Sequence, residues 1–522
     1  MSSLAEHADR DAPAAIRGDA LLVNLARRAS QLTDPTTQAE VRALLERGER
    51  LDELGVAERH QLINDIMRLC HVRDMPEVLS LSGVPVVYNF QQTFEENIGG
   101  PWDRYPDWDG VTRGRRWTLL GVNVGYPIGV PASALTANAR YVDYYARHGF
   151  NVLTYKTVRS RPRAPHPFPN WVYLEDADQP LPVADEEPPV GPVTGDAETY
   201  PVDPHSFSTA NSFGVPSEHP DVWTQDVADA LDRIGDGKLL IVSVMGSPEE
   251  PDIRSAEALA QDFVAVALYA QQAGARAIEL NLSCPNTLDP VTHQIDPPVC
   301  LDPDLTELIV TRVAEALDAE TRLVAKLSWM RHTMLEQVLR RFAHRVHAVS
   351  GINTLPMRVV DRAGQPTFGE RRVAGVSGNA IRDFGLDFVR TLAELKHRED
   401  WVFDIIGMGG VMSAEDVRAY LRAGADAVQT ATGAEDKPTL PADLLREFDD
   451  ALGPEARILL GVLEHRPGAD LPQLASAARL APSAVRAGLG KLRSLGVLHE
   501  TRSEGGQTAF RVVESATGAL LP

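Results

Sequence analysis

From residue 117 onward, short apolar runs alternate with longer stretches in which apolar residues recur every three or four positions. The short runs read as strands at 119–124, 127–132, 152–158, 239–245, 277–283, 323–328, 348–354, 403–408 and 427–432. The periodic stretches read as amphipathic helices at 136–148, 222–234, 255–273, 304–318, 334–345, 384–397 and 413–423. With 119–124 as a lead-in hairpin and 127–132 as the first barrel strand, the strand–helix units number eight. That count predicts an α/β chain built on a (β/α)8 TIM barrel. A doubly wound open sheet fits less well, because no G-x-G-x-x-G opens the first unit.

The pattern changes at both ends and once in the middle. Residues 1–80 read as a helical N-terminal extension, with Leu21, Leu22, Leu25 and Ala26, then Val41, Leu44 and Leu45, then Leu62, Ile63, Ile66 and Met67 at helical spacing. Their many charges suit a packing or oligomerisation cap. Residues 81–453 form the barrel, interrupted at about 159–220 after the second strand. That insertion holds Pro162, Pro165, Pro167 and Pro169 and an acidic run through Asp185, Glu186 and Glu187. Its proline density predicts a chain without regular structure, serving as a lid or interface arm over the site. Residues 454–522 start afresh with helices at 455–466, 471–480 and 482–495, then two strands flanking a turn rich in Gly and Ser. This order resembles a winged-helix domain. Arg486, Lys491 and Arg493 on its third helix give a modest basic footprint. Protein binding is the favoured use of the tail, and DNA binding the other.

Composition narrows the function. The formal net charge of −22 over 522 residues argues against nonspecific nucleic-acid binding by the whole chain. Three cysteines, Cys70, Cys284 and Cys300, give no disulfide framework and are too few for a four-cysteine cluster or zinc site. No metal site is expected. Neither a leader nor a membrane-spanning run is evident in the sequence, so a cytoplasmic protein is expected.

The chemistry concentrates at strand ends, where barrel enzymes place their sites. In Glu279-Leu280-Asn281-Leu282-Ser283-Cys284-Pro285-Asn286-Thr287 an apolar strand ends in two amides that bracket a thiol. Asparagine offers both a donor and an acceptor and can read a cyclic imide, and the thiol between could take a proton from the held ring. Other strand ends give Ala132-Ser133, Tyr155-Lys156-Thr157, Ala325-Lys326, Ile352-Asn353-Thr354, Gly407-Met408-Gly409-Gly410 and Gln429-Thr430-Ala431-Thr432. After the insertion comes Asn211-Ser212-Phe213-Gly214-Val215-Pro216. Gly378, Gly409-Gly410 and Ala431-Thr432 could bring backbone N–H groups to a phosphate. His166, His205 and His293 fall in nearby loops and read as surface residues, and Cys300 and Cys70 as structural thiols.

Taken in order, these segments resemble the dihydroorotate dehydrogenase family, class 1 above all, including the related domain of dihydropyrimidine dehydrogenase. The resemblance covers roughly residues 117–450 and implies an FMN-binding barrel. It implies Cys284 as the catalytic base and Lys156 as charge partner of flavin and substrate. It places Asn211, Phe213, Gly214, Asn281, Asn286, Asn353 and Thr354 on the substrate. Ala132, Ser133, Lys156, Asn281, Lys326, Gly378, Gly409, Gly410, Ala431 and Thr432 fall on the cofactor. The implied reaction removes a proton from C5 and a hydride from C6 of a dihydropyrimidine such as dihydroorotate. Membrane-associated class 2 members carry serine where Cys284 stands, and dihydropyrimidine dehydrogenase carries histidine where Asn286 stands. Ser133 replaces a usual glycine, and the insertion interrupts the substrate-loop segment. Both added domains depart from the simple biosynthetic members. They leave open a tailoring dehydrogenase acting on another cyclic or acyl amide, and a ligand- or redox-sensing DNA-binding regulator. The electron acceptor stays open among fumarate, oxygen, a nicotinamide cofactor and a partner reductase. A homo-oligomer follows by resemblance.

Overall fold

The structure is a computed structural model that describes residues 36, 39, 42–43, 87–98, 117–175, 181, 191–197, 199, 206–248, 255–284, 298–494, 498–502 and 508–512. Nearly all of the expected N-terminal helical region lies outside the described residues.

Eight parallel strands close into a barrel: β3 (Ile128–Val130), β4 (Val152–Arg159), β8 (Leu239–Met245), β9 (Ala277–Asn281), β10 (Arg322–Lys326), β11 (Ala348–Gly351), β14 (Asp404–Met408) and β15 (Ala427–Gln429). The ring closes through β15 and β3, where Val428 pairs with Ile128. Strands covered on both faces read as largely apolar runs, as β8 does, and both β4 and β8 are buried along their whole length. The covering helices carry apolar residues at helical spacing. In Arg382–Arg398, for example, Phe384, Phe388, Leu392 and Leu395 are buried. Side-chain caps fix the helix starts: Asp302 accepts from the N–H groups of Asp304 and Leu305, and Ser413 and Asp416 form a capping box. Each such cap contributes about 1 kcal/mol. The lead-in hairpin is β1 (Trp117–Leu119) with β2 (Val122–Val124), two residues earlier than the pattern predicts. It sits at the N-terminal end of the barrel, where Leu120 N–H donates to Asp404 Oδ2 at 2.6 Å. Two helices beyond the predicted set, Thr432–Asp436 and Leu440–Leu452, follow the last strand.

The insertion corrects the expectation of irregular chain. It supplies β5 (Trp171–Tyr173), β6 (Val193–Thr194) and β7 (Ser208–Asn211). These join a hairpin that the sequence pattern did not reveal, β12 (Leu355–Val360) and β13 (Val373–Gly378), in a sheet ordered β5-β7-β13-β12-β6. The prolines fall outside the paired residues, so they interrupt no ladder.

The C-terminal segment folds as three helices, Pro454–His465, Leu471–Ala478 and Pro482–Ser494, and an antiparallel pair, β16 (Leu498–Arg502) with β17 (Thr508–Val512). Leu459, Leu463, Leu474, Val485, Leu492 and Phe510 form a core separate from that of the barrel.

Candidate active site

The C-terminal ends of the barrel strands and the second sheet enclose one cavity of about 1030 Å³, its open mouth included. Lys156 reaches it from β4, Asn281 and Cys284 from the end of β9, and Lys326 from the end of β10. Asn353 and Thr354 enter beyond β11, Gly409 and Gly410 beyond β14, and Ala431 and Thr432 beyond β15. Ala132 and Ser133 follow β3, Gly378 ends β13, and Asn211 ends β7 with Phe213 and Gly214 behind it. Asn286, His205 and His293 lie outside the described residues.

Internal hydrogen bonds aim the amides. Asn281 Nδ2 donates to Thr157 Oγ1 at 2.9 Å, and Asn281 Oδ1 accepts from Ser283 Oγ at 3.3 Å. Asn353 Nδ2 donates to Ser283 Oγ at 3.1 Å, and its Oδ1 accepts from Thr354 N–H at 2.9 Å. Ser283 thus ties the two amides to each other. Each retains unused capacity, a second N–H on Asn281 and a carbonyl lone pair on Asn353. Asn211 Nδ2 donates to Gly375 O at 3.4 Å.

The two lysines are buried, not solvated, and differ in charge balance. Lys326 is 3% exposed and lies 3.9 Å from Glu279 Oε1, whose other oxygen accepts from Ser350 Oγ. Lys156 is 8% exposed, and burial lowers its pKa to about 7. The Arg159 guanidinium pushes the same way, and negative charge on the Cys284 sulfur opposes both. Cys284 is buried at the cavity wall. Cys300 stands away from it, with Sγ 3.1 Å from Ser328 Oγ and its pKa raised by burial.

A second layer holds the loop that carries Asn211, Phe213 and Gly214. Arg159, 3% exposed, donates from Nε to Val215 O at 2.9 Å and from Nη1 to Ser247 Oγ. Arg371 donates to Ser212 O at 2.8 Å and to Pro167 O at 2.7 Å. His166 is half-buried against the loop and corrects the surface reading: its Nδ1 lies 3.3 Å from Ser212 Oγ. Burial, then Arg371 and Arg163, lower its pKa to about 4. Sequence reasoning missed Arg159 and Arg371. The signal for Arg159 was a charge closing an apolar strand three residues after Lys156. Arg371 gave none.

The opposite wall suits a planar heterocycle with an anionic tail. Gly378, Gly409 and Gly410 have φ of +81°, +122° and +69°. A Cβ on Gly378 would stand 2.6 Å from Phe207 O, and one on Gly410 2.6 Å from Arg382 Cα. Bare backbone therefore forms that wall, the surface on which N–H groups meet phosphate. Gln429 Nε2 donates to Val152 O and Thr154 Oγ1, at 2.9 Å each, while its buried Oε1 has no partner among the described residues. An acceptor left open there matches a ring N–H. Among the described residues no group of His, Cys, Asp and Glu could hold a metal, and no helix is long and apolar enough to cross a membrane.

Residues 199–452 match the family model described as dihydroorotate dehydrogenase. The chain is 33% identical over 361 residues to the dihydroorotate dehydrogenase of Dictyostelium discoideum, covering 66% of this chain and 93% of that protein. It is 27% identical over 357 residues to the catalytic subunit of dihydroorotate dehydrogenase B (NAD(+)) of Methanopyrus kandleri, covering 67% of this chain and 95% of that protein. It is 28% identical over 225 residues to the NAD-dependent dihydropyrimidine dehydrogenase subunit PreA of Escherichia coli, covering 42% and 50% respectively.

Proposed function

The chain belongs to the dihydroorotate dehydrogenase family, and from that membership we propose an FMN-dependent oxidoreductase that interconverts a dihydropyrimidine, dihydroorotate or a close relative, and its 5,6-unsaturated form. The observation that carries the reading is one cavity lined by Cys284, Lys156, Asn211, Asn281, Asn353 and a bare-backbone wall at Gly378, Gly409 and Gly410.

In this reading Asn211, Asn281, Asn353 and Thr354 hold the imide edge of the ring, with Asn286 as a fourth amide. Phe213 and Gly214 close over the substrate. Cys284 Sγ takes the C5 proton, which lies alpha to a carbonyl and needs a positioned base. When bound, FMN supplies the acceptor for the C6 hydride. Gly378, Gly409, Gly410, Ala431 and Thr432 would hold its phosphate, and Ala132, Ser133, Asn281 and Lys326 its ring. The Lys156 ammonium stabilises negative charge that develops in the cavity. Because that ammonium is lost above about pH 7, turnover should fall along an alkaline limb near that value.

The relative from Methanopyrus kandleri bears the name of an NAD(+)-linked catalytic subunit, which supports a partner reductase as the electron acceptor here. A cytoplasmic homo-oligomer with a protein-binding, winged-helix-like tail completes the proposal. Cys284→Ala provides the test. It should retain FMN, identified by heat release and chromatography, while turnover falls by about 10²- to 10⁴-fold. Unchanged turnover would remove Cys284 from the mechanism.

A further inference from the structure

A segment from outside the eight barrel units, residues 87–98, packs against side chains that line the active-site cavity. Its two ends converge on one group: the Tyr141 hydroxyl lies 3.1 Å from Val87 O and 3.3 Å from Asn97 O. Inside that bracket the buried Asn97 side chain accepts from Asn89 N–H at 2.7 Å and donates to Thr93 O at 2.9 Å. Thr93 and Glu96 cap the short helix Phe94–Ile98 reciprocally. The loop is thus fixed by its own polar groups, and its three aromatic rings all turn inward. Phe90 stacks on Trp171 at 4.5 Å between centroids, Tyr88 meets Phe213 at 5.9 Å, and Phe94 meets Phe213 at 5.8 Å. Trp171 and Phe213 line the cavity. The Phe94 ring also lies 5.9 Å from Lys156 Nζ.

We infer that Phe94 is a positioning residue for the active-site lysine, walling the Lys156 ammonium off from water and aiming it into the cavity. The inference rests on the reading of Lys156 as the charge partner of the reacting ring. A buried aromatic ring acts on an ammonium in two opposite ways. Its face attracts the cation, and its bulk excludes the water that would solvate it. For Lys156 burial as a whole outweighs the neighbouring charges. The charged groups that bear on this ammonium are Arg159 on its own strand and Cys284 beyond β9, while Lys326, which lines the same cavity, is engaged by Glu279. Of these, Arg159 and Cys284 oppose each other, so the ring is well placed to decide the balance.

The test is competitive acetylation of Lys156 by acetic anhydride in the full chain between about pH 5 and pH 10, read by peptide mass spectrometry. It needs no substrate, so it stands apart from the identity of the dihydropyrimidine. Phe94→Ala admits water and should move the Lys156 midpoint up by about one unit. Phe94→Leu keeps the wall but removes the ring face and should move it down by about half a unit. A midpoint unmoved in both variants overturns the inference, as does an unmoved Phe94→Leu midpoint where Phe94→Ala fails to fold. With dihydroorotate, Phe94→Ala should shift the alkaline limb of kcat in parallel with the labelling midpoint. Labelling that shifts without turnover on dihydroorotate would keep Phe94 in place and remove the substrate assignment.

Discussion

Lys156 and Lys326 bring the same charge into one cavity, and their different neighbours decide what each can do. Lys326 has a buried carboxylate beside it, 3.9 Å away on Glu279. Lys156 has a thiol and a second cation, so its charge is held at a cost in stability. Its pKa falls from 10.5 to about 7 on folding. Below about pH 7 both the folded and unfolded chains carry the proton, and the cost is present in full. Between there and about pH 10.5 the unfolded chain binds a proton that the folded chain has released, so stability rises with pH and the cost disappears. Lys156→Met should therefore stabilise the cofactor-free protein by on the order of a few kcal/mol near pH 6 and by much less near pH 10. Thermal midpoints of the two proteins across that range measure this, and a gain independent of pH would assign it to packing instead. At this scale the sequence was most legible where a polar residue ends or interrupts an apolar strand, as Asn281 and Lys326 end theirs and Lys156 interrupts β4. It was silent where the partner lies far along the chain, as with Arg371 on Ser212 and Phe94 on Lys156.

Among the elements, the eight barrel strands were readable because burial on both faces leaves each as an apolar run. The second sheet was not. Its strands are short, and β7 pairs with β13 some 165 residues later, so nothing local ties the strands of the insertion to the hairpin they join. Proline density at 162–169 was a misleading signal, because those residues connect strands and do not interrupt them. This sheet and the loop at 211–217 are joined by Arg371, whose guanidinium bonds Ser212 O, Pro167 O and Phe368 O. Arg371→Ala should loosen the loop that carries Asn211 and Phe213 while leaving Cys284 and Lys156 in place. We expect KM for the dihydropyrimidine to rise roughly tenfold, the loss of about 1.4 kcal/mol of binding, with kcat changed less. Steady-state kinetics on the variant would show it, and an unchanged KM would separate the clamp from substrate binding.

For the whole molecule, among the described residues the cavity draws its lining from the barrel and its second sheet and none from the C-terminal helices and hairpin. The tail has a core of its own. Its role was the least legible part of the chain, because surface charge alone does not name a partner. What the molecule does turns on the barrel, and one measurement addresses it most directly: the visible spectrum of the purified protein during anaerobic addition of dihydroorotate. A flavin band should bleach on addition in the wild type and persist in Cys284→Ala over the same interval. A colourless protein, a wild-type band that dihydroorotate leaves unchanged, or a Cys284→Ala band that bleaches as fast as wild type would contradict the proposed function.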